Sequence, residues 1–592
     1  MPFEEGFLTN QFPKLPADIV VDIYGYLPGK DVLKSFLYLK SSNSRKEVIG
    51  RYFQGRMDFC LSPHDYYWDS YPSRVYWWSK QSSNWNFIIS AEIQSFLDLN
   101  QDINPPRLKL LDETSTSILS NPFFKRYITR FSSKVDQLIL EMDEVNEDLE
   151  VMVNKVENVY GVIFGSFNKC LSQMENGVLL EWKKLSLFRT GEPKLKDWSN
   201  IKFPSSLKTF QLCGCYEVDF STLKIPDSVE HIVISDSEVS RPTDGDLDHP
   251  VLENFPLEII PSGLKTLSIQ RFWLERFTYI ISVKNLPQTL KNLDLYQVEV
   301  ELGPENYNFD STRLWPPLLE KIKLTKCSIN DSKLMQLNSM SWPEKLRVLD
   351  LSGNGFSSLS FLNYMPQNLD QLNLSGYKFL DFDIFRETTE TIKFPKYLTK
   401  LNMGRCKIKC LNVIELPPFL KTLSLYYNEI KDLRAYEAEN ITWSKLVYLE
   451  SLDLSHNPIL SLRSWYPPDN LAFLDLSRTS LTILRPDCSI FAENRNKKYS
   501  KLKSITLRGS LMYINYLVCV PPNLSKLDLS FNYMLNSVPL HSKFFTPNLR
   551  ELCLCKTKIE HLEHHDSNFN DRIISGLKYS KRRIQRFDNK KT

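Results

Sequence analysis

Two Cys-x-Cys pairs, Cys213 with Cys215 and Cys553 with Cys555, and one histidine cluster, His561, His564 and His565 in HLEHH, are the residues of this chain whose types suit a metal ion. A structural zinc takes four ligands, normally from two such knuckles that meet in space. No HExxH and no matching cysteine pair accompanies the histidines, so a solvated terminal segment is the simpler reading of HLEHH. GxSxG, GxxxxGK[ST] and GxGxxG are all absent from the sequence, and with them the usual signals of an activated serine, a phosphate loop and a dinucleotide fold. These residues therefore imply no metal, no cofactor and no catalysis.

The 592 residues carry 73 basic and 70 acidic side chains, a net charge of +3, so bulk electrostatics gives no reason to expect nucleic acid as a partner. Eleven cysteines are few for the length and odd in number, which suits free thiols in a reducing compartment. The opening MPFEEGFLTNQFPKLP lacks the basic start and apolar run of a secretory signal, and no window reaches about 18 uninterrupted apolar residues. The expectation is a cytoplasmic or nuclear protein without a membrane span.

The candidate chemistry has to be positioned by something, and one phrase recurs often enough to be that framework. IPSGLKTLSI begins at Ile260, LPQTLKNLDL at Leu286, LPPFLKTLSL at Leu416 and VPPNLSKLDLSFN at Val520. The skeleton PxxLxxLxL aligns at Pro204, Pro226, Pro261, Pro287, Pro316, Pro343, Pro366, Pro395, Pro417, Pro468 and Pro521. Its last apolar position recurs from Leu212 to Leu554 at spacings of 22 to 35 residues, and weaker copies reach back to VDQLIL at Val135. The LxL pair is strand alternation with its apolar residues on one face. A single strand cannot bury those leucines, whereas stacked copies share a continuous core. The residue three beyond the last leucine is often Asn, as at Asn354, Asn428, Asn457 and Asn532.

LDLSGN, LSLYYN, LDLSHN and LDLSFN resemble leucine-rich repeats, and the likeness covers residues 131–570, about seventeen units. The proline lead-in is similar to variants in some bacterial effectors and in amoebal FNIP-type repeats. The resemblance implies an α/β fold: a curved solenoid with a parallel sheet on its concave face, and helix, 3-10 turn or loop behind it. It also places Cys215, Cys327, Cys406, Thr479 and Thr557 at the Asn position, where the side chain bonds turn backbone.

On such a strand the residue between the last two apolar positions faces away from the core. Fourteen residues from Gln211 to Cys553 hold that place, and five are aspartate, Asp294, Asp350, Asp453, Asp475 and Asp528, against one lysine, Lys323. Stacked in register they form an acidic stripe that would hold a basic protein segment, or else they are ordinary solvated wording of the repeat. A flanking exposed column is expected to include Tyr296, Tyr426, Phe473 and Arg508, residue types that anchor interfaces.

Ahead of the repeats stands LPADIVVDIYGYLPGKDVL, Leu15 to Leu33. Ile19, Ile23 and Leu27 share one face of an amphipathic helix that Pro16 can begin, and Asp31 suits the N-cap of a second helix after Pro28 and Gly29. The stretch resembles an F-box, worded LPxDIxxxIxxYLxxxDLL; the following LYLKSSNSRKEVIG departs from that wording. The resemblance implies that Leu15, Pro16, Ile19, Ile23, Leu27 and Leu33 dock a Skp-type adaptor and, through it, a cullin scaffold. A hairpin that merely caps the open end of the repeats would look similar.

The expected domains are an F-box-like helical domain at 12–60, an aromatic-rich helical connector at 61–130 with four tryptophans between Tyr66 and Trp85, the repeats at 131–570, and a basic tail at 571–592. Asp236 to Pro250 reads as a protruding loop. The function these expectations describe is a non-catalytic substrate receptor of an SCF-type ubiquitin ligase, the alternative being a leucine-rich scaffold or regulatory protein.

Overall fold

The computed structural model describes residues 58–61, 87–89, 107–112, 122–131, 137–144, 149–156, 159–166, 171–191, 197–214, 218–235, 256–270, 280–301, 315–339, 342–355, 360–376, 392–409, 414–433, 443–462, 465, 467–481, 501–510, 523–535 and 549–558. The chain divides into two units, Met1–Pro250 with Phe255–Glu275, and Val251–Asn254 with Arg276–Thr592. Each is a stack of short parallel strands, the leucine-rich-repeat architecture that the phrase repetition implies.

In the first unit the parallel ladder runs through Arg107–Asp112, Gln137–Glu144, Val159–Ser166, Leu187–Gly191, Thr209–Cys213, His231–Ser235 and Thr266–Gln270. Asp58–Leu61 pairs with both Phe87–Ile89 and Arg107–Asp112. The expected helical connector at 61–130 is thus corrected among the described residues, which hold parallel strands there as well as the helix Pro122–Phe131. The reason is in RLKLLD: Leu108 and Leu110 alternate and are fully buried, an LxL pair without the proline lead-in. Phe188 packs against both Phe203 and Phe210, with ring centroids at 5.0 and 5.7 Å, and those two rings meet each other at 5.3 Å. The buried Trp182 donates from Nε1 to the Val156 carbonyl at 3.0 Å, which ties one return segment to its neighbour.

In the second unit the ladder passes from Asn292–Tyr296 and Lys321–Thr325 through nine three-residue strands to Glu551–Cys553. The return segments differ from repeat to repeat. One contains the helix Asp331–Ser339, started by Asn330, whose Oδ1 accepts the Lys333 N–H at 2.9 Å; others carry the 3-10 turns Ser360–Tyr364 and Trp443–Lys445.

The PxxL lead-in has a mechanical explanation. In copy after copy the proline carbonyl accepts the leucine N–H three residues on, as in Leu346 to Pro343 at 3.0 Å and Leu471 to Pro468 at 3.1 Å. This closes a turn that aims the chain into the strand; the missing proline N–H is not needed there, and its fixed φ lowers the cost of ordering. The three leucines that follow are core: Leu346, Leu349 and Leu351, like Leu420, Leu423 and Leu425, have no exposed surface. Each such burial contributes roughly 1.5–3 kcal/mol.

The Asn position carries the second structural ladder. Asn428 donates from Nδ2 to its own Leu425 carbonyl and to Met403 of the preceding repeat, both at 2.9 Å. Its Oδ1 accepts from the amides of Cys406 and Ile408 at 2.9 and 3.0 Å. Asn354 repeats all four bonds three repeats earlier. Cys327 and Cys406 occupy the same place and donate from Sγ to Leu295 and Leu374 carbonyls, while Thr479 and Thr557 bond their own leucine carbonyls. Cys215 lies outside the described residues.

Candidate binding face

The residues between the last two apolar positions of the second unit do form one column. Register partners run Asp294, Lys323, Asp350, Asn373, Asn402, Ser424, Asp453, Asp475, Thr506, Asp528 and Cys553, strand by strand. In the first unit Arg189, Gln211, Val233 and Ser268 stand in the equivalent line.

These aspartates do more than meet water. Asp350 and Asp453 accept through Oδ1 from both the amide and the hydroxyl of the serine two residues on, at 2.6 to 3.0 Å. Asp475 and Asp528 accept the Ser477 and Ser530 amides at 2.8 and 2.9 Å, and Asn373 and Asn402 do the same for Ser375 and Gly404. The recurrent LDLS and LNLS wording is therefore a brace that turns the chain out of the strand.

The second carboxylate oxygens distinguish the positions. Asp294 is neutralised by Lys323 at 3.2 Å, and Asp350 accepts from Asn373 at 2.9 Å. Asp453 receives only the Ser424 hydroxyl at 3.1 Å, and Asp528 meets the Arg508 guanidinium at 3.8 Å. Asp475 lies between these two, and burial, together with the charges of Asp453 and Asp528, pushes its carboxyl above the usual range despite the Ser477 bonds. Negative charge is thus concentrated, and least compensated, around Asp453 and Asp475.

The flanking column needs a correction. Tyr296, Tyr426 and Arg508 follow the last leucine and lie on one side of the aspartates, whereas Phe473 begins its strand and lies on the other, paired with Ser451 and Ser504. Three residues separate Phe473 from the Arg508 line, so the four expected residues do not form one strip. Phe473 is half exposed.

A line of residues missed by the sequence reading stands one step further out. From Gln297 to Phe531 the amide of the residue two beyond the marker leucine bonds the carbonyl of the next repeat, as in Arg405 to Tyr426 at 2.8 Å and Arg478 to Arg508 at 2.7 Å. The position is left-handed: Gly353, Gly376 and Gly509 occur there, but so do Arg405, Tyr427, His456, Arg478, Phe531 and Lys556, with φ between 51° and 64°. The signal was available, since glycine alternating with bulky residues at one repeat position marks a left-handed turn. Along this rim Arg405 lies over Tyr427 at 5.2 Å, Tyr427 meets the His456 ring at 5.3 Å, and Arg508 and Lys556 lie over Phe531 at 4.9 and 4.7 Å.

Cysteine chemistry is disfavoured by the same packing. Burial pushes Cys327 up to about 12, and burial with nearby Asp528 and Glu551 pushes Cys553 up to about 11. Among the described residues no three metal-ligating side chains cluster, and no helix is long and apolar enough to cross a membrane. Leu15, Pro16, Ile19, Ile23, Leu27 and Leu33, the Tyr66 to Trp85 tract, the loop at Asp236 to Pro250 and His561, His564 and His565 lie outside the described residues.

Residues 345–365 match the Leucine Rich Repeat family. No curated protein matches the chain. Among solved structures the chain is similar to that described as "Crystal structure of TLR13-ssRNA13 complex", at 20% identity over 76% of this chain and 71% of that one, with a TM-score of 0.44. It is also similar to YopM from Yersinia enterocolitica WA-314, at 16% identity over 86% and 99% with a TM-score of 0.33, and to the circular repeat protein CroV588, at 14% over 79% and 74% with a TM-score of 0.32. The PxxLxxLxL strand, the Asn ladder and the match at 345–365 all fall on one repeating unit, and the fold is that of a leucine-rich-repeat solenoid.

Proposed function

We propose that this chain is a non-catalytic substrate-recognition subunit of an SCF-type ubiquitin ligase. In this reading Leu15, Pro16, Ile19, Ile23, Leu27 and Leu33 hold a Skp-type adaptor and thereby a cullin scaffold. The sheet face around Asp453, Asp475 and Asp528 holds a protein segment with basic side chains. The mechanism is proximity: tethering raises the effective concentration of substrate lysines beside a ligase-bound ubiquitin donor. The observation that carries the binding half is the in-register aspartate column, with its least compensated charge at Asp453 and Asp475. The adaptor half rests on the wording of Leu15 to Leu33.

Co-purification with a Skp-type adaptor from cytosolic or nuclear extract tests the adaptor half. The intact chain retains the adaptor, and Leu15→Asp combined with Ile19→Asp releases it; an intact chain that retains none leaves a leucine-rich scaffold as the reading. Asp453→Asn, Asp475→Asn and Asp528→Asn together test the face. Asn keeps the strand-exit brace, as Asn373 and Asn402 do natively, so a lost substrate is a charge effect and not a folding one.

A further inference from the structure

We infer that the left-handed rim from Arg405 to Lys556 is a second binding surface, for an extended acidic peptide segment with aromatic or apolar residues between its carboxylates. It adjoins the aspartate column and depends neither on that column's ligand nor on the adaptor.

The first ground is charge segregation. In the second unit neither the column after the marker leucine nor the rim column beside it contains a carboxylate, whereas the aspartates all stand on the column two residues back along the strand. Among the described residues Arg405, Arg478 and Lys556 make no ion pair, and all three are exposed. Arg405 and Lys556 lie over ring faces instead, which fixes the cation while leaving its charge unneutralised. Tyr427, beside Arg405, is itself 54% exposed, a large aromatic surface left to solvent.

The second ground is spacing. Arg405, Arg478 and Lys556 recur at every third repeat, with Tyr427 and Phe531 between them. Strands step by about 4.8 Å, so the cations stand about 14 Å apart, close to the reach of four residues of an extended chain at about 3.3 Å each. Carboxylates at every fourth residue would meet the three cations, and the intervening side chains would meet the rings. A peptide is favoured over a phosphate polymer because the carboxylate column lies only about 10 Å away along the strand and repels a broad polyanion.

The test uses the full chain and a labelled peptide, EGFSEGFSE, followed by fluorescence anisotropy. Saturable micromolar binding is expected, weakening as salt rises from about 50 to about 200 mM. Arg405→Glu, Arg478→Glu and Lys556→Glu together should weaken it at least about tenfold. Tyr427→Ala with Phe531→Ala should also weaken it, while KGFSKGFSK should not bind. Replacing the three cations by Gln keeps the aliphatic stems and guards against misfolding, and it should lose affinity with an unchanged melting temperature. The inference is overturned if the intact chain shows no saturable binding, if the charge-reversed but folded variant binds equally, or if a nine-nucleotide dT strand binds more tightly than the peptide.

Discussion

Asp453 and Asp475 stand directly opposite each other on adjacent parallel strands, two carboxylates at one register step. Burial and the neighbouring charges of Asp453 and Asp528 raise the Asp475 pKa, so the folded protein holds that proton more tightly than the unfolded chain does. The stability this contributes is complete below the unfolded value of 3.8 and is lost as pH rises through the higher folded value. Asp475→Asn, which keeps an acceptor for the Ser477 amide, should therefore raise the melting temperature at pH 7. The gain, from a few tenths to about 1 kcal/mol, should shrink as pH falls towards 3.8. Thermal melts at a series of pH values check this; an equal gain at every pH would show that charge is not the cause.

Asn457 donates to Leu425, Leu454 and Ser455 carbonyls and accepts the Ile430 amide while almost wholly buried. Asn457→Ala leaves backbone groups of two repeats unmatched and should cost about 3 kcal/mol. Asn457→Asp turns acceptor against acceptor and should cost more. Because each repeat contacts its neighbours, hydrogen exchange should quicken first at Ile430, Leu454 and nearby amides, before distant strands respond.

Cys327 and Cys406 are buried and bonded to backbone carbonyls, and Cys327 is held near 12 by burial. Neither should react with iodoacetamide at pH 8 in the native protein. Cys213 and Cys555 are half-buried and should label, with Cys553 slower because its thiol is pushed up to about 11. Peptide mass spectrometry before and after denaturation reads this order directly.

Gly353 and Arg478 occupy the same left-handed step, at φ 71° and 51°. A Cβ on Gly353 would come within 2.6 Å of Lys326 Cγ. Gly353→Ala should cost about 1–2 kcal/mol, whereas Arg478→Ala should be nearly neutral, because Ala and Arg bear the same left-handed backbone cost. Urea midpoints of the two variants separate the cases; an equal loss in both would deny the backbone explanation.

The repeats, the strand register and the aspartate column were legible because each depends on the side-chain alternation of a strand, which one sequence displays many times over. Phe473 was misplaced because position relative to the leucines, not exposure, decides which side of the aspartates a residue takes. The rim was overlooked because no single residue such as Arg405, Tyr427 or Phe531 marks left-handed backbone; only aligning the repeats shows them sharing a position with Gly353, Gly376 and Gly509. Arg107–Asp112 was missed because its LxL pair lacks the proline that made the other copies conspicuous.

From Leu454 to Leu476 the chain takes 22 residues to return, and from Leu476 to Leu507 it takes 31, yet Asp453, Asp475 and Thr506 remain at consecutive register steps. Connection length is thus decoupled from strand register: connections that differ by nine residues deliver their strands at the same register spacing. Such a protein can change what it carries on one side without recalibrating what it reads on the other.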